Sequence, residues 1–185
     1  RWGDNRLMMV WGRPAPSELM DGARELCGFF QFCRELVADR LGNPTGDYPS
    51  RLIEIRDDDD GVLTMNEIVC LVFGLLLAGH ETTTNGAGNI ILELLRHRAQ
   101  WEKIVADPSL IPNAVEEGLR YCSSVVNWRR LALQDTEIGG VKIAKGSKLL
   151  VSLGSANRDG AHFADADVFD VARTNAREHM AFGNG

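Results

Sequence analysis

The sequence predicts a mainly α protein with a minor β region. Three patterns carry this expectation: helical text sustained from Met65 to about Arg96, apolar residues recurring every three or four positions from Leu19 to Val37, and short β-branched stretches after Cys122. The 185 residues suffice for a substantial core, and no repeat or flexible linker divides them, so residues 1–185 read as one piece of one domain.

The elements follow in order. Trp2 to Trp11 reads as the end of a helix, broken by Gly12-Arg13-Pro14-Ala15-Pro16. Ser17 is placed to cap the next helix. Its apolar face carries Leu19, Ala23, Leu26, Phe30, Cys33 and Val37, and it stops near Leu41 at Gly42-Asn43-Pro44. A short helix from Pro49 to Ile55 precedes the acidic run Asp57-Asp58-Asp59-Asp60-Gly61. Thr64 and Glu67 have the S/T-x-x-E spacing of a capping box for the long helix, which at 1.5 Å per residue is about 48 Å long. Further helices begin near Ala99 and at Pro112. Strands are expected at Val125 to Leu133, Glu137-Ile138, Val141 to Ile143 and Lys148 to Leu153, with Gly139-Gly140 as a two-residue hairpin turn. Ala156 to Phe182 is mostly irregular, the sign of a loop wrapped on something.

Composition excludes some functions. Twenty-six acidic residues against twenty basic ones give a net charge of -6, with no basic run to track a phosphate backbone, so no nucleic-acid partner is expected. Cys27, Cys33, Cys70 and Cys122 lie in apolar helical text without CxxC spacing, as buried thiols of a reducing compartment do. The longest apolar run is shorter than the roughly 18 residues of a bilayer span and no charged leader precedes it, so a soluble cytoplasmic protein without a membrane partner is expected. Both ends of the sequence look cut.

Two stretches invite a chemical reading. Asp58, Asp60, Gly61, Leu63 and Glu67 match positions of an EF-hand calcium loop, but Arg56 stands where the first carboxylate ligand belongs. A calcium-binding helical module between Asp58 and Glu67 is the weaker alternative to a solvated loop. The other stretch is Ala78-Gly79-His80-Glu81-Thr82-Thr83, a polar patch in an apolar helix expected to be buried. Burying a carboxylate and hydroxyls costs free energy unless they are paired or used. Gly79, the threonines, Gly86 and Gly88 are poor helix formers, so the helix is expected to open locally there. Spacing alone leaves Glu117 and Arg120 open to a bland reading as an exposed i,i+3 ion pair.

Taken together, AGHETT in a long apolar helix, E-x-x-R from Glu117 to Arg120 and the terminal HMAFGNG, in that order, resemble the haem-thiolate monooxygenases of the cytochrome P-450 superfamily, of the soluble bacterial kind. Glu137-Ile138-Gly139-Gly140, Ala156-Asn157-Arg158-Asp159 and Phe169 to Arg173 support it, so the resemblance covers most of Ser17 to Gly185. It implies a partial cytochrome P-450 fold: central long helix, E-x-x-R helix, small β-sheet and meander, without the N-terminal part or the C-terminal haem-ligand loop. Ala144 and Ala166 stand where the family often has proline, and Gly118 interrupts the motif helix.

The resemblance also assigns roles. Glu81 and Thr82 become the acid-alcohol pair that delivers protons for O–O cleavage, with an opened turn at Ala78 and Gly79 leaving room beside the haem. Glu117, Arg120 and Arg173 form a structural triad. Arg130 and His179 bind the haem propionates, Phe182 lies against the cofactor, and Val125, Val126 and Trp128 line the pocket of a small hydrophobic substrate. The cofactor is heme b, and the residue supplying the axial cysteine lies beyond Gly185, so no metal ligand is assigned within the sequence. Electrons come ultimately from NAD(P)H through a ferredoxin or flavoprotein reductase or a fused reductase domain. Asn127 to Arg130 and the text PSLIPNAVEE are similar to members that carry the reductase on the same chain. A degenerate, non-catalytic haem-protein relative is the other alternative.

Overall fold

The computed structural model describes residues 14–183. The helical end expected between Trp2 and Trp11 lies outside the described residues. Two compact units are divided between Glu81 and Thr82, Arg1–Glu81 and Thr82–Gly185.

In the first unit, α1 spans Pro16–Gly42. Its N-cap is Ala15 and not the expected Ser17. Pro16 at the first helical position fixes φ and lacks a donor, which starts the helix earlier, and the Glu18 carboxylate accepts the Ala15 N–H at 2.7 Å. Helix α2 spans Tyr48–Arg56. Asp47 caps it by accepting the Ser50 N–H at 3.1 Å, and Arg40 Nε donates to the same carboxylate at 2.7 Å. These contacts, Arg40 foremost, hold the Asp47 carboxyl well below the usual carboxylate range.

Helix α3 spans Met65–Arg96. The capping box forms as expected: Glu67 N–H donates to Thr64 Oγ1 at 3.2 Å, and Thr64 N–H to Glu67 Oε2 at 2.8 Å. Phe29, Cys33 and Val37 of α1, Leu52 of α2 and Ile68, Val69 and Val72 of α3 form the core of this unit. Cys33 and Val37 are buried as expected, while Phe29, one turn before Cys33, is the fully buried aromatic and Phe30 is half-buried at the edge of the same core. Leu19 is exposed.

Two expectations about α3 are corrected. The helix does not open at Ala78 and Gly79 but runs unbroken through the polar patch. Each glycine or threonine costs only about 0.5–1 kcal/mol, whereas a mid-helix opening would forfeit several backbone bonds between two well-formed halves. Nor is the helix buried throughout: Leu71, Leu75, Leu76, Ile91, Leu92 and Leu95 are exposed. By length and composition it is apolar enough to cross a membrane, which counting unbroken apolar runs did not reveal.

In the second unit the end of α3 leads into α4, Arg98–Ala106, a 3-10 turn at Pro108–Leu110 and α5, Ile111–Cys122. Leu94, Ala114, Phe169 and Val171 form its core, with Ile90, Trp101, Ile104, Leu110 and Tyr121 packed on them. Gly118, an apparent interruption of the motif helix, is where α3 approaches α5: a Cβ there would stand 2.4 Å from Ile90 Cγ1.

Strands β1 (Asn127–Leu131) and β4 (Lys148–Ser152) pair antiparallel, as do β2 (Thr136–Ile138) and β3 (Val141–Ile143). Gly139 and Gly140 take φ of +57° and +81° at the hairpin turn, the left-handed region both central residues of such a turn require. After α6, Leu153–Ala156, only a 3-10 turn at Ala176–Glu178 interrupts the irregular segment.

Candidate functional site

The second unit is organised around one buried carboxylate. Helix α5 places Glu117 and Arg120 three residues apart on its packed face, and both are fully buried. The bland reading as an exposed pair therefore fails. Arg120 Nε donates to Glu117 Oε2 at 2.7 Å and Arg120 Nη2 to Oε1 at 2.8 Å, a bidentate fork. Arg173 Nε reaches both oxygens, at 3.2 and 3.1 Å, and the Asp170 N–H donates to Oε1 at 2.9 Å. The structure thus brings Glu117, Arg120 and Arg173 together.

The guanidiniums use their remaining donors on the irregular segment. Arg120 donates to the carbonyls of Asn157 (2.7 Å), Ala166 (2.8 Å) and Val168 (3.1 Å). Arg173 donates to those of Ala164, Asp165 and Val168. A segment without strands or long helices leaves its carbonyls unpaired, and two planar cations supply six such bonds to five residues between them. The network accordingly sets the path of residues 157–173.

His179 is held by two contacts within the chain. Its Nδ1 accepts the Ala181 N–H at 3.2 Å, which leaves the proton of the neutral ring on Nε2, 3.1 Å from Glu116 Oε2. Both ring nitrogens are engaged within the chain. Its ring lies 5.6 Å from that of Phe182, which is 80% exposed.

Arg130 sits in β1 opposite Leu149, and Trp128 lies opposite Val151. Opposed residues of an antiparallel pair share a face, and alternate residues of one strand do too, so these four side chains form one surface. Arg130 is exposed, its Nη1 donating to the Arg129 carbonyl at 3.0 Å. Val125 is half-buried, and Val126 is 52% exposed.

In α3, Ala78, Gly79 and Thr82 are exposed and Glu81 is half-buried. Thr82 follows Ala78 by one turn on the same stripe, with Glu81 beside it.

The acidic run has other work than calcium. Arg56 donates to Asp58 at 2.7 Å and to Asp60 at 2.8 and 3.0 Å, and Asp59 accepts the Gly61 N–H at 2.8 Å. Glu67 caps α3, and among the described residues no group of three or more acidic, His or Cys side chains could hold a metal. Cys33 is buried, Cys122 half-buried, but Cys27 and Cys70 are exposed, contrary to expectation.

Comparison with known proteins resolves the family. The family model for Cytochrome P450 matches residues 26–107 and 105–185. The chain belongs to the cytochrome P450 family. It is 40% identical over 185 residues, all of this chain and 44% of the relative, to 6-deoxyerythronolide B hydroxylase of Saccharopolyspora erythraea. The solved structure of cytochrome P450 CREJ in complex with (4-ethylphenyl) dihydrogen phosphate matches with a TM-score of 0.88 at 44% identity, over 100% of this chain and 45% of that one. An intact type IV self-sufficient cytochrome P450 monooxygenase matches with a TM-score of 0.86 at 41% identity, over 96% of this chain and 23% of that one. The chain spans less than half the length of these relatives.

Membership of the cytochrome P450 family implies haem, an apolar disc with two carboxylates at its edge. The face of β1 and β4 fits such a group: Trp128, Leu149 and Val151 are apolar, and Arg130 is the cation among them. The residues that sequence reasoning missed are Asn157, Asp170 and Glu116. Each meets its partner far away in sequence, Asn157 at Met180, Asp170 at Glu117 and Glu116 at His179, so no local spacing marks them.

Proposed function

We propose that the protein carrying this chain is a haem-dependent monooxygenase that inserts one atom of dioxygen into a small hydrophobic substrate. The observation carrying this reading is the polar patch on the continuous helix α3 of a cytochrome P450 chain, where Glu81 and Thr82 follow Ala78 and Gly79 on an otherwise apolar element. Haem b, when bound, supplies the iron at which dioxygen is activated. Cleaving an O–O bond also needs protons, delivered one at a time. The Thr82 hydroxyl both donates and accepts, so it can hold a proton and an ordered water. The Glu81 carboxylate, half-buried beside it, relays protons from solvent.

Arg130 pairs with a haem carboxylate, while His179 supports the chain nearby through Glu116. Val125, Val126 and Trp128 make the adjoining surface apolar, which favours a hydrophobic substrate. Electrons come from NAD(P)H through a ferredoxin, a flavoprotein or a reductase on the same chain. The likeness to a self-sufficient enzyme supports the last arrangement without excluding a separate partner. The protein is cytoplasmic on this reading. Helix α3 is interrupted at its middle by His80, Glu81, three threonines and Asn85, which argues against a membrane span.

The test compares the complete protein with its Thr82→Ala variant. Both should give the thiolate-type spectrum with reduced iron and carbon monoxide, while the variant diverts reducing equivalents from product to hydrogen peroxide. Unchanged coupling of electron use to product would refute the role of Thr82. Absence of that spectrum from the complete protein would refute the monooxygenase reading itself.

A further inference from the structure

Asn157 is fully buried at the end of α6, where its own N–H donates to the Leu153 carbonyl at 2.9 Å. Its backbone carbonyl accepts Arg120 Nη1 at 2.7 Å. Its side-chain Oδ1 accepts the Met180 N–H at 2.6 Å. One residue therefore touches the buried ion network with its main chain and the segment after the last 3-10 turn with its side chain. That segment is held a second time next door, by His179 Nε2 against Glu116 Oε2 at 3.1 Å, and Glu116 adjoins Glu117 in sequence. It then turns at Gly183, whose N–H donates to the Met180 carbonyl at 2.9 Å with φ of +79°.

We infer that Asn157 is a positioning residue that transmits the geometry of the Glu117, Arg120 and Arg173 network to residues 179–183. Arg120 fixes the Asn157 carbonyl, and the short Asn side chain then leaves Oδ1 little freedom as an acceptor. The Met180 amide is held at that point. What those residues are positioned against, the haem, rests on the function proposed above, whereas the contact itself does not.

A second feature sharpens the inference. Asn157 Nδ2 is a buried donor with no hydrogen-bond partner in the structure. The acceptor, Oδ1, is thus the half of the amide that the fold uses. Replacing Nδ2 by oxygen forfeits none of the contacts found. The added charge would lie near a network that holds two guanidiniums against one carboxylate and so carries an excess positive charge. Asn157→Asp should consequently keep the Met180 contact, whereas Asn157→Leu, similar in size but without an acceptor, should lose it.

The experiment is amide hydrogen exchange on the complete protein, with Met180 compared against the α5 amides. Asn157→Leu should speed exchange at Met180 about tenfold or more while the α5 amides change little, and Asn157→Asp should stay within a few-fold of the parent. Asn157→Ser, too short to reach Met180, should repeat the selective loss and carries the comparison if the Leu variant does not fold. Unchanged exchange at Met180 in the Leu or Ser variant would overturn the inference. So would equal acceleration at Met180 and α5, the mark of general destabilisation, or an Asp variant as fast as Leu. Failure of the monooxygenase reading would show in the carbon monoxide spectrum and leave this exchange pattern untouched.

Discussion

Arg120→Lys separates a buried network from a surface ion pair. Lysine keeps the positive charge beside Glu117, so attraction between opposite charges is retained and geometry alone is tested. Arg120 makes five hydrogen bonds, two to the Glu117 carboxylate and three to the carbonyls of Asn157, Ala166 and Val168. An ammonium has three donors, so at least two buried acceptors lose this partner. Glu117 and Val168 keep Arg173 as a donor, whereas the Asn157 and Ala166 carbonyls are held by Arg120, and stranding these two at about 1–3 kcal/mol each puts the loss at about 2–6 kcal/mol. The guanidinium carbon of Arg120 lies over the Phe163 ring, 5.2 Å from its centroid, and this contact goes as well. An exposed i,i+3 pair would be worth about 0–1 kcal/mol, so the two readings do not overlap. Urea unfolding of the complete protein followed by circular dichroism measures the difference. A loss below about 1 kcal/mol with an unchanged denaturant slope would refute the claim that these bonds organise the irregular segment.

Gly118→Ala should destabilise by about 1–3 kcal/mol, because its Cβ would meet Ile90 Cγ1 at 2.4 Å; pairing it with Ile90→Ala should recover part of the loss in the same unfolding assay, and purely additive losses would deny the contact. The Asp47 carboxyl titrates well below its ordinary value, so its contribution is complete above the unfolded pKa of about 3.9 and is lost as pH falls through the lower folded value. Asp47→Asn, which can still cap α2, should therefore flatten the acid side of a thermal-stability profile below about pH 4, and an unchanged acid limb would count against the Arg40 pairing.

What could be read along the chain was what is settled locally. Thr64 and Glu67 are three residues apart and make their capping bonds to each other, so the start of α3 was legible from spacing. Gly139 and Gly140 needed no distant partner to announce a left-handed turn. Burial was harder to read. The i,i+3 spacing of Glu117 and Arg120 is the same in a surface pair and in a fully buried one, and what distinguishes them, Arg173 and the Asp170 amide, lies more than fifty residues away. Phe29 and Phe30 differ by one position and both pack on the core, and only α2 and α3 decide which of them is fully buried.

The same limit applies to motif residues with distant partners. His179 stands in the terminal motif, but its partner Glu116 is 63 positions earlier, and no periodicity connects them. The expected opening of α3 relied on summing weak propensities, each worth less than about 1 kcal/mol, against a cooperative helix of 32 residues. Gly118 shows the point most sharply. Along the sequence it is a poor helix former breaking a motif helix, a defect of about 1 kcal/mol against alanine. Across the fold it is the position where Ile90 of α3 leaves no room for a Cβ, so the residue that weakens α5 by itself is the one that lets α3 and α5 pack this closely.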